Sequence, residues 1–472
     1  MRPYQVVCLL LSMSVLSAAQ GPAKQSPASR QLDGWLAAYD GTDWNAYLRF
    51  LKTNFAIQPG GGFQDPALRD RTGGYDLKKI ESETPIEVTA LLQERAGDGF
   101  SRLALDVEPE QPHRILKLEV ELIERPAEFA LPHMTDQQLV AALRKRLEDE
   151  TASDRFAGAV LVAKQGEPIF AQAFGLADRE HNIPNTLQTR FSLSSINKVF
   201  TAVATMQLVQ AGKLALDDPL GKYLTDYPNK ELAAKVTIGE LLTNTGGTGD
   251  IWGPEFDKHR LELRTLRDYI NLYGKRPLRF EPGSRWEYSN YGFILLGAVI
   301  ERVSDESYYD YVREHIYIPA GMSSTDSAPE EPRAADHSIG YMKVKAGDWN
   351  SNTSYLHYRS TSAGGGNSTV GDLLRFANAL RENKLLSADY TKLLTAGRVV
   401  NPFGLDAYGF GVQTINGTQC FGHNGTGPGV NGDLEMCVDS RYAIVALANM
   451  DPPAAEQVSH FIIARLSASK SK

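Results

Sequence analysis

Apolar residues recur at helical spacing early in the chain: Leu32, Trp35, Leu36 and Tyr39, then Trp44, Tyr47, Leu48 and Leu51 after a break near Gly41. That spacing predicts two helices. The period then drops to two. The stretches IEVTALLQER, FSRLALDVEP and HRILKLEVELIE each alternate for several residues, with Gly or Pro at the breaks. They predict three strands of an antiparallel meander, so residues 30–127 read as a small α+β domain. RPAEFALP, with Pro126 and Pro132 near its ends, reads as a linker. A longer pattern fills residues 134–468. A helix (TDQQLVAALRKRLEDE) opens it, followed by two extended stretches (FAGAVLVAKQG and PIFAQAFG) and a mostly helical middle. Strands return at YGFGVQTI, DLEMCVD and YAIVALANM, and a helix closes the pattern at AAEQVSHFIIARL. This order predicts one mixed sheet whose halves are separated in sequence, with helices packed around it.

Composition narrows the picture little. The 472 residues are 42% hydrophobic and 22% charged, enough for two or three domains and a large core. Net charge is −8 and no basic stripe stands out, which argues against a nucleic-acid partner. The N-terminus changes more. Arg2 precedes an apolar run, Val6–Leu16, that is too short to span a bilayer, and Ser17-Ala18-Ala19 follows. Residues 1–19 are therefore expected to be a signal peptide, and the mature chain is expected to be periplasmic or secreted. No second stretch is long and apolar enough for a membrane span. Cys8 leaves with the signal, while Cys420 and Cys437 remain, 16 residues apart in between. An oxidising compartment permits a bridge worth about 3 kcal/mol by chain entropy; two separate buried thiols are the alternative. The oligomeric state is left open.

The candidate chemistry begins with a lysine in an unusual place. Lys198 opens the apolar run VFTAVATMQLV, which reads as a helix buried on nearly all sides. Ser195 lies three residues earlier, and residues three apart share a helix face at about 5–6 Å. With Ser194 as N-cap, Ser195 falls in the first turn, where the helix dipole favours a developing alkoxide. Burial lowers a lysine pKa, so a neutral amine could take the serine proton. The bland alternative is a lysine whose head reaches water beside the helix start. Ser-x-x-Lys also occurs at Ser467–Lys470 and Ser469–Lys472, in a polar tail.

Two further motifs keep it company. Tyr288-Ser289-Asn290 sits on a Pro-Gly-led loop just before an apolar helix; the other Tyr-x-Asn copies, Tyr227–Asn229 and Tyr269–Asn271, lack that setting. His423-Asn424-Gly425 is the only His-x-Gly, placed where a C-terminal strand should start. Ser-x-x-Lys, Tyr-x-Asn and His-x-Gly in this order resemble the penicillin-recognising serine hydrolases. The likeness is to the branch of class C β-lactamases, D-alanyl-D-alanine carboxypeptidases and family VIII carboxylesterases. ELLTNTGGTGD, FEPGSRWEYSNYGFILLG, STVGDLLRFANAL and YAIVALAN look like family segments in family order. The resemblance covers 134–468. It implies an α+β, β-lactamase/penicillin-binding-protein-like fold: an antiparallel sheet flanked by helices, with a mostly helical insertion. The preceding unit resembles the cone-shaped nuclear transport factor 2 fold in element order alone and is read as accessory.

The resemblance also implies roles. Ser195 would be the acylated nucleophile and Lys198 its activator, with Tyr288 as the general base and acid that relays the proton to the leaving group. Asn290 would orient the substrate and Lys198. His423 and Gly425 would line the edge strand against which the acyl part lies. The N–H groups of Ser195 and Thr426 would form the oxyanion hole. No cofactor is implied, and the nine scattered histidines form no metal motif. The third motif begins with His423 where the lysine-type relatives carry lysine, and TNTGG stands where many carry Thr-His-Thr-Ser-Gly. With a reference pKa near 6.5, His423 offers little charge to an anionic substrate at pH 7. Small-molecule esters, small amides and D-amino-acid peptides are therefore expected ahead of β-lactams. A class C-type β-lactamase is the second reading, and a non-catalytic binding or scaffold protein is the reading of another class.

Overall fold

Side-chain caps start the first helices. In α1 (Pro27–Asp40) the Ser26 side chain accepts from the Ser29 amide, and in α2 (Trp44–Asn54) Asp43 accepts from Ala46. The computed structural model describes residues 25–466 except 42, 58–62, 64–68, 70–71, 96, 124, 331–333, 346–347, 403 and 439–440. The expected signal peptide at 1–19 and the Ser-x-x-Lys copies in the tail lie outside the described residues. Among the described residues, no helix is long and apolar enough to cross a membrane.

The chain divides into two compact units, Met1–Ile123 and Glu124–Lys472. In the first, Leu32, Trp35, Tyr39, Tyr47 and Leu51 are buried with the inward residues of an open antiparallel meander. Its strands are β1 (Tyr75–Glu83), β2 (Glu87–Glu94), β3 (Phe100–Val107) and β4 (Ile115–Ile123). The last three match the expected strands. β1 is additional: eight of its nine residues are exposed, so it carries no alternation to read. A cavity of about 520 Å3 lies in this unit, lined by Asp33, Asp40, Tyr75, Asp76, Lys78 and Arg95 among others.

The second unit opens with α3 (Asp136–Ala152), whose Thr135 and Gln138 form a capping box. β5 (Gly158–Lys164) and β6 (Glu167–Phe174) follow. α4 (Lys198–Gln210) and α5 (Asn290–Ser304) pack on each other, and α6 (Val370–Arg381) follows in the same core. The remaining strands are β7 (Val399–Asn401), β8 (Gly404–Asp406), β9 (Gly411–Ile415), β10 (Thr418–Gly427), β11 (Val430–Cys437) and β12 (Tyr442–Ala448). α7 (Ala454–Ile463) closes the unit. The eight strands run β7-β8-β9-β10-β11-β12-β5-β6. Every pairing is antiparallel, so the sheet is not the mixed one that element order alone predicts. One face packs on α4 and α6, with α5 against α4, and the other packs on α3 and α7.

Cys420 and Cys437 are register partners in β10 and β11 with Cα atoms 4.0 Å apart, and they are disulfide-bonded. Of the two readings of these cysteines, the structure holds the bridge.

Candidate active site

Ser195 and Lys198 meet through a tighter turn than the α-helix expected there. Ser194–Asn197 form a 3-10 turn that runs directly into α4. Residues three apart eclipse one another in a 3-10 turn, so the serine hydroxyl and the lysine amine share one side. The N-cap assignment of Ser194 needs correction. Ser194 has φ 46°, and its hydroxyl donates to the Thr426 carbonyl at 2.7 Å instead of capping the helix. Its service is tertiary: it ties the serine turn to β10.

Lys198 is fully buried. Its Nζ donates to Ser195 Oγ at 3.3 Å, to Asn290 Oδ1 at 2.7 Å and to the Ala363 carbonyl. The amine also lies over the rings of Tyr288 (4.8 Å) and Phe293 (5.3 Å). Burial drives its pKa down to about 7, opposed by the Asp250 carboxylate. The bland reading, an ammonium reaching water, does not fit a side chain with no exposed surface.

Tyr288 donates to Ser195 Oγ at 2.8 Å. Burial pushes its phenol far above the ordinary range; the bond to Ser195 opposes this, and Asp250 and Asp406 add to it. Tyr288 is therefore a neutral phenol at pH 7. Its neighbours are held firmly. Asp406, in β8, accepts from Trp286 Nε1 at 2.5 Å and from Asn244 at 3.0 Å, and Asn244 Oδ1 accepts from the Ser289 amide at 3.1 Å. Ser289 caps α5 by accepting from Gly292 and donates to the Gly249 carbonyl at 2.5 Å. Asn290 begins α5, with its side chain between Lys198 and Asp250. The other two Tyr-x-Asn copies are structural: Tyr227 is buried against the Tyr291 hydroxyl at 3.0 Å and Asn229 caps a short helix, while Tyr269 is buried within the helix Leu266–Tyr273 and Asn271 is exposed.

His423-Asn424-Gly425 lies in the second half of β10, not at a strand start. The His423 ring is 6.4 Å from the Tyr288 ring. Burial and the nearby Lys198 charge lower its pKa, so the imidazole is neutral at pH 7. Gly425 is required by space. A Cβ there would stand 2.1 Å from the Leu193 carbonyl oxygen, so only glycine lets β10 approach the serine turn. The structure thus brings Ser195, Lys198, Tyr288 and Asn290 into contact and sets His423, Gly425 and Thr426 along one border. Sequence reasoning missed Asp250, Asp406, the tie from Ser194 and the Ala363 carbonyl. Asp250 closes the quoted segment ELLTNTGGTGD; a backbone carbonyl leaves no mark in a sequence.

Residues 138–469 match the family described as Beta-lactamase. The chain is 30% identical over 332 residues to a penicillin-binding protein of Bacillus subtilis, covering 65% of this chain and 72% of that one. It is 34% identical over 209 residues to esterase EstB of Burkholderia gladioli, covering 41% of this chain and 53% of the other. The crystal structure of a penicillin binding protein from Bacillus halodurans superposes with a TM-score of 0.58 at 30% identity, over 69% of this chain and 97% of that one. This chain spans only part of the length of each curated relative.

Proposed function

The chain belongs to the β-lactamase family, and from that premise we propose an exported serine hydrolase that cleaves small esters, small amides or D-amino-acid peptides through an acyl-enzyme on Ser195. The observation that carries this reading is the contact set around one hydroxyl. Ser195 Oγ has Lys198 Nζ at 3.3 Å and Tyr288 OH at 2.8 Å, with the lysine fully buried.

Of the two groups on Ser195, only Lys198 has a basic form available at pH 7; Tyr288 is held as the phenol. As Ser195 Oγ attacks the substrate carbonyl carbon, its proton passes to the Lys198 amine. Tyr288 gives its proton to the departing alkoxide or amine and is reprotonated from Lys198. Water then attacks the acyl carbon and loses a proton through the same pair, which releases the acid and restores the serine. The amides of Ser195 and Thr426 bind the oxyanion. Their segments are joined by the bond from Ser194 to the Thr426 carbonyl. A neutral His423 favours substrates without a carboxylate anchor over β-lactams.

A fluorophosphonate probe tests the reading. The expected result is one adduct on Ser195 and none in Ser195→Ala; labelling that persists in the variant refutes it. Side-by-side kcat/KM values on p-nitrophenyl butyrate, a D-alanyl dipeptide and a chromogenic cephalosporin rank the substrates. A cephalosporin value far above the other two overturns the order. The scaffold alternative predicts no adduct in the wild type.

A further inference from the structure

The three contacts of Lys198 raise a question of which atom faces which. A neutral amine has two N–H donors and one lone pair. If it is to accept the Ser195 proton, the lone pair must point at Oγ. The two N–H groups must then be held by the other partners, Asn290 Oδ1 and the Ala363 carbonyl. A backbone carbonyl can only accept. An asparagine amide can turn over, and the turned amide would aim its NH2 at the lone pair and compete with Ser195.

Asp250 blocks that turn. Its carboxylate Oδ2 accepts from Asn290 Nδ2 at 3.2 Å, while Oδ1 accepts from the Asn290 amide at 3.0 Å and from Ile251 at 2.8 Å. A carboxylate is an acceptor only, so Asn290 must give it the NH2 group and keep its oxygen towards Lys198. The loop is itself fastened: Arg276 donates to the Asp250 carbonyl at 2.7 Å, and Ser289 donates to the Gly249 carbonyl.

We propose that Asp250 is a positioning residue for the Ser195–Lys198 pair, fixing the Asn290 amide so that the lysine lone pair stays on Ser195 and supplying the negative charge that keeps the buried amine able to hold a proton. The proposal rests on the reading of Ser195 as nucleophile. The titratable groups around Lys198 are Tyr288 ahead of α5, His423 from β10 and Asp250 from the loop before residue 253; the loop at 363 contributes a carbonyl. Tyr288 and His423 are both neutral at pH 7. Asp250 is the anion acting on the lysine. Asp250 also sits at the N-terminal end of α5, where a carboxylate is stabilising without any part in chemistry. The test must therefore move something that helix stability does not.

The full-length chain serves for the test. Lys198 is titrated by NMR with 13C-labelled lysine side chains, its signal identified by its loss in Lys198→Arg. The wild-type midpoint is expected near pH 7, and Asp250→Asn is expected to lower it by about half a pH unit or more. In parallel, the plateau rate of fluorophosphonate labelling at Ser195 is expected to fall about tenfold or more in Asp250→Asn, with partial recovery in Asp250→Glu. Asp250→Ser, which keeps an acceptor for Asn290, serves if the asparagine variant does not fold. An unmoved midpoint in a folded variant overturns the charge role, and an unchanged plateau rate overturns the orienting role. A wild type that is not labelled refutes the hydrolase reading, and the titration still decides whether Asp250 sets the charge of Lys198.

Discussion

Ionisable side chains lie against both faces of β10 and β11. His423 and its register partner Leu434 lie on the α4 face, beside Lys198 and Tyr288. Asp433 and Glu435 point the other way, towards α3 and α7, and both are buried. Burial acts alike on both faces, favouring the neutral form: it lowers Lys198 and raises Asp433 and Glu435. The neighbours differ. Around Lys198, the Nζ has three polar contacts, Asn290 Oδ1, the Ala363 carbonyl and a serine hydroxyl. Behind the sheet, Glu435 takes one hydrogen bond from Gln413 at 2.6 Å, and its second oxygen has no hydrogen-bond partner among the described residues. A neutralised charge is thus necessary for the proposed chemistry but does not supply it. The chemistry needs a hydroxyl within reach and a fixed amide beside it.

The largest expected effects come from removing that hydroxyl or its base. Ser195→Ala and Lys198→Arg should each lower ester turnover by about a thousandfold or more, since arginine keeps the charge but does not deprotonate. Activity of Lys198→Arg within a few-fold of wild type would make the two faces equivalent. Tyr288→Phe should cost about a hundredfold, the scale of one acid–base partner. It should slow amides more than p-nitrophenyl esters, whose leaving group needs no proton.

Stability separates the faces by sign. Below pH 7 the unfolded chain protonates Lys198 freely, while the folded protein must bury an ammonium. This cost is full in acid and is relieved between about pH 7 and the free lysine value near 10. Lys198→Met should therefore raise the melting temperature at pH 6 while abolishing activity. Glu435 runs the opposite way. Its folded pKa is raised, so its cost is absent below about pH 4 and accrues as pH rises towards 8. Glu435→Gln should stabilise the protein at pH 8 by about 1 kcal/mol or more, have little effect on stability at pH 4, and leave kcat/KM within a few-fold. A large loss of activity would couple the back of the sheet to the site. The smallest effect is expected from removing the first unit. A chain beginning at Arg125 should keep ester turnover within about threefold; a soluble but inactive product would show that residues before it complete the site.

Much of the fold is legible in the sequence where one face is buried. β2, β3 and β4 alternate; α4 is apolar all round because it is enclosed all round. β1 was illegible because eight of its nine residues are exposed and impose no alternation. The four contacting side chains were legible because each lies in a short motif: Ser195 and Lys198 one turn apart, Tyr288 and Asn290 at one helix start. Asp250 was not, because its hydrogen-bond link to Lys198 runs through Asn290, 40 residues further on, and its charge acts on the lysine through space. Ser194 was misread for a related reason. A serine before a helix ordinarily caps it, and here the pull of β10 outweighs that local preference.

The central claim is that a buried lysine, half deprotonated near neutrality, activates Ser195. Its most direct test is the rate of fluorophosphonate labelling at Ser195 followed from pH 5 to pH 9. The account predicts a rate that rises through a single ionisation near pH 7 and then levels, with the rise absent and the rate low throughout in Lys198→Arg. A rate independent of pH, or an Lys198→Arg protein labelled as fast as the wild type, would contradict it.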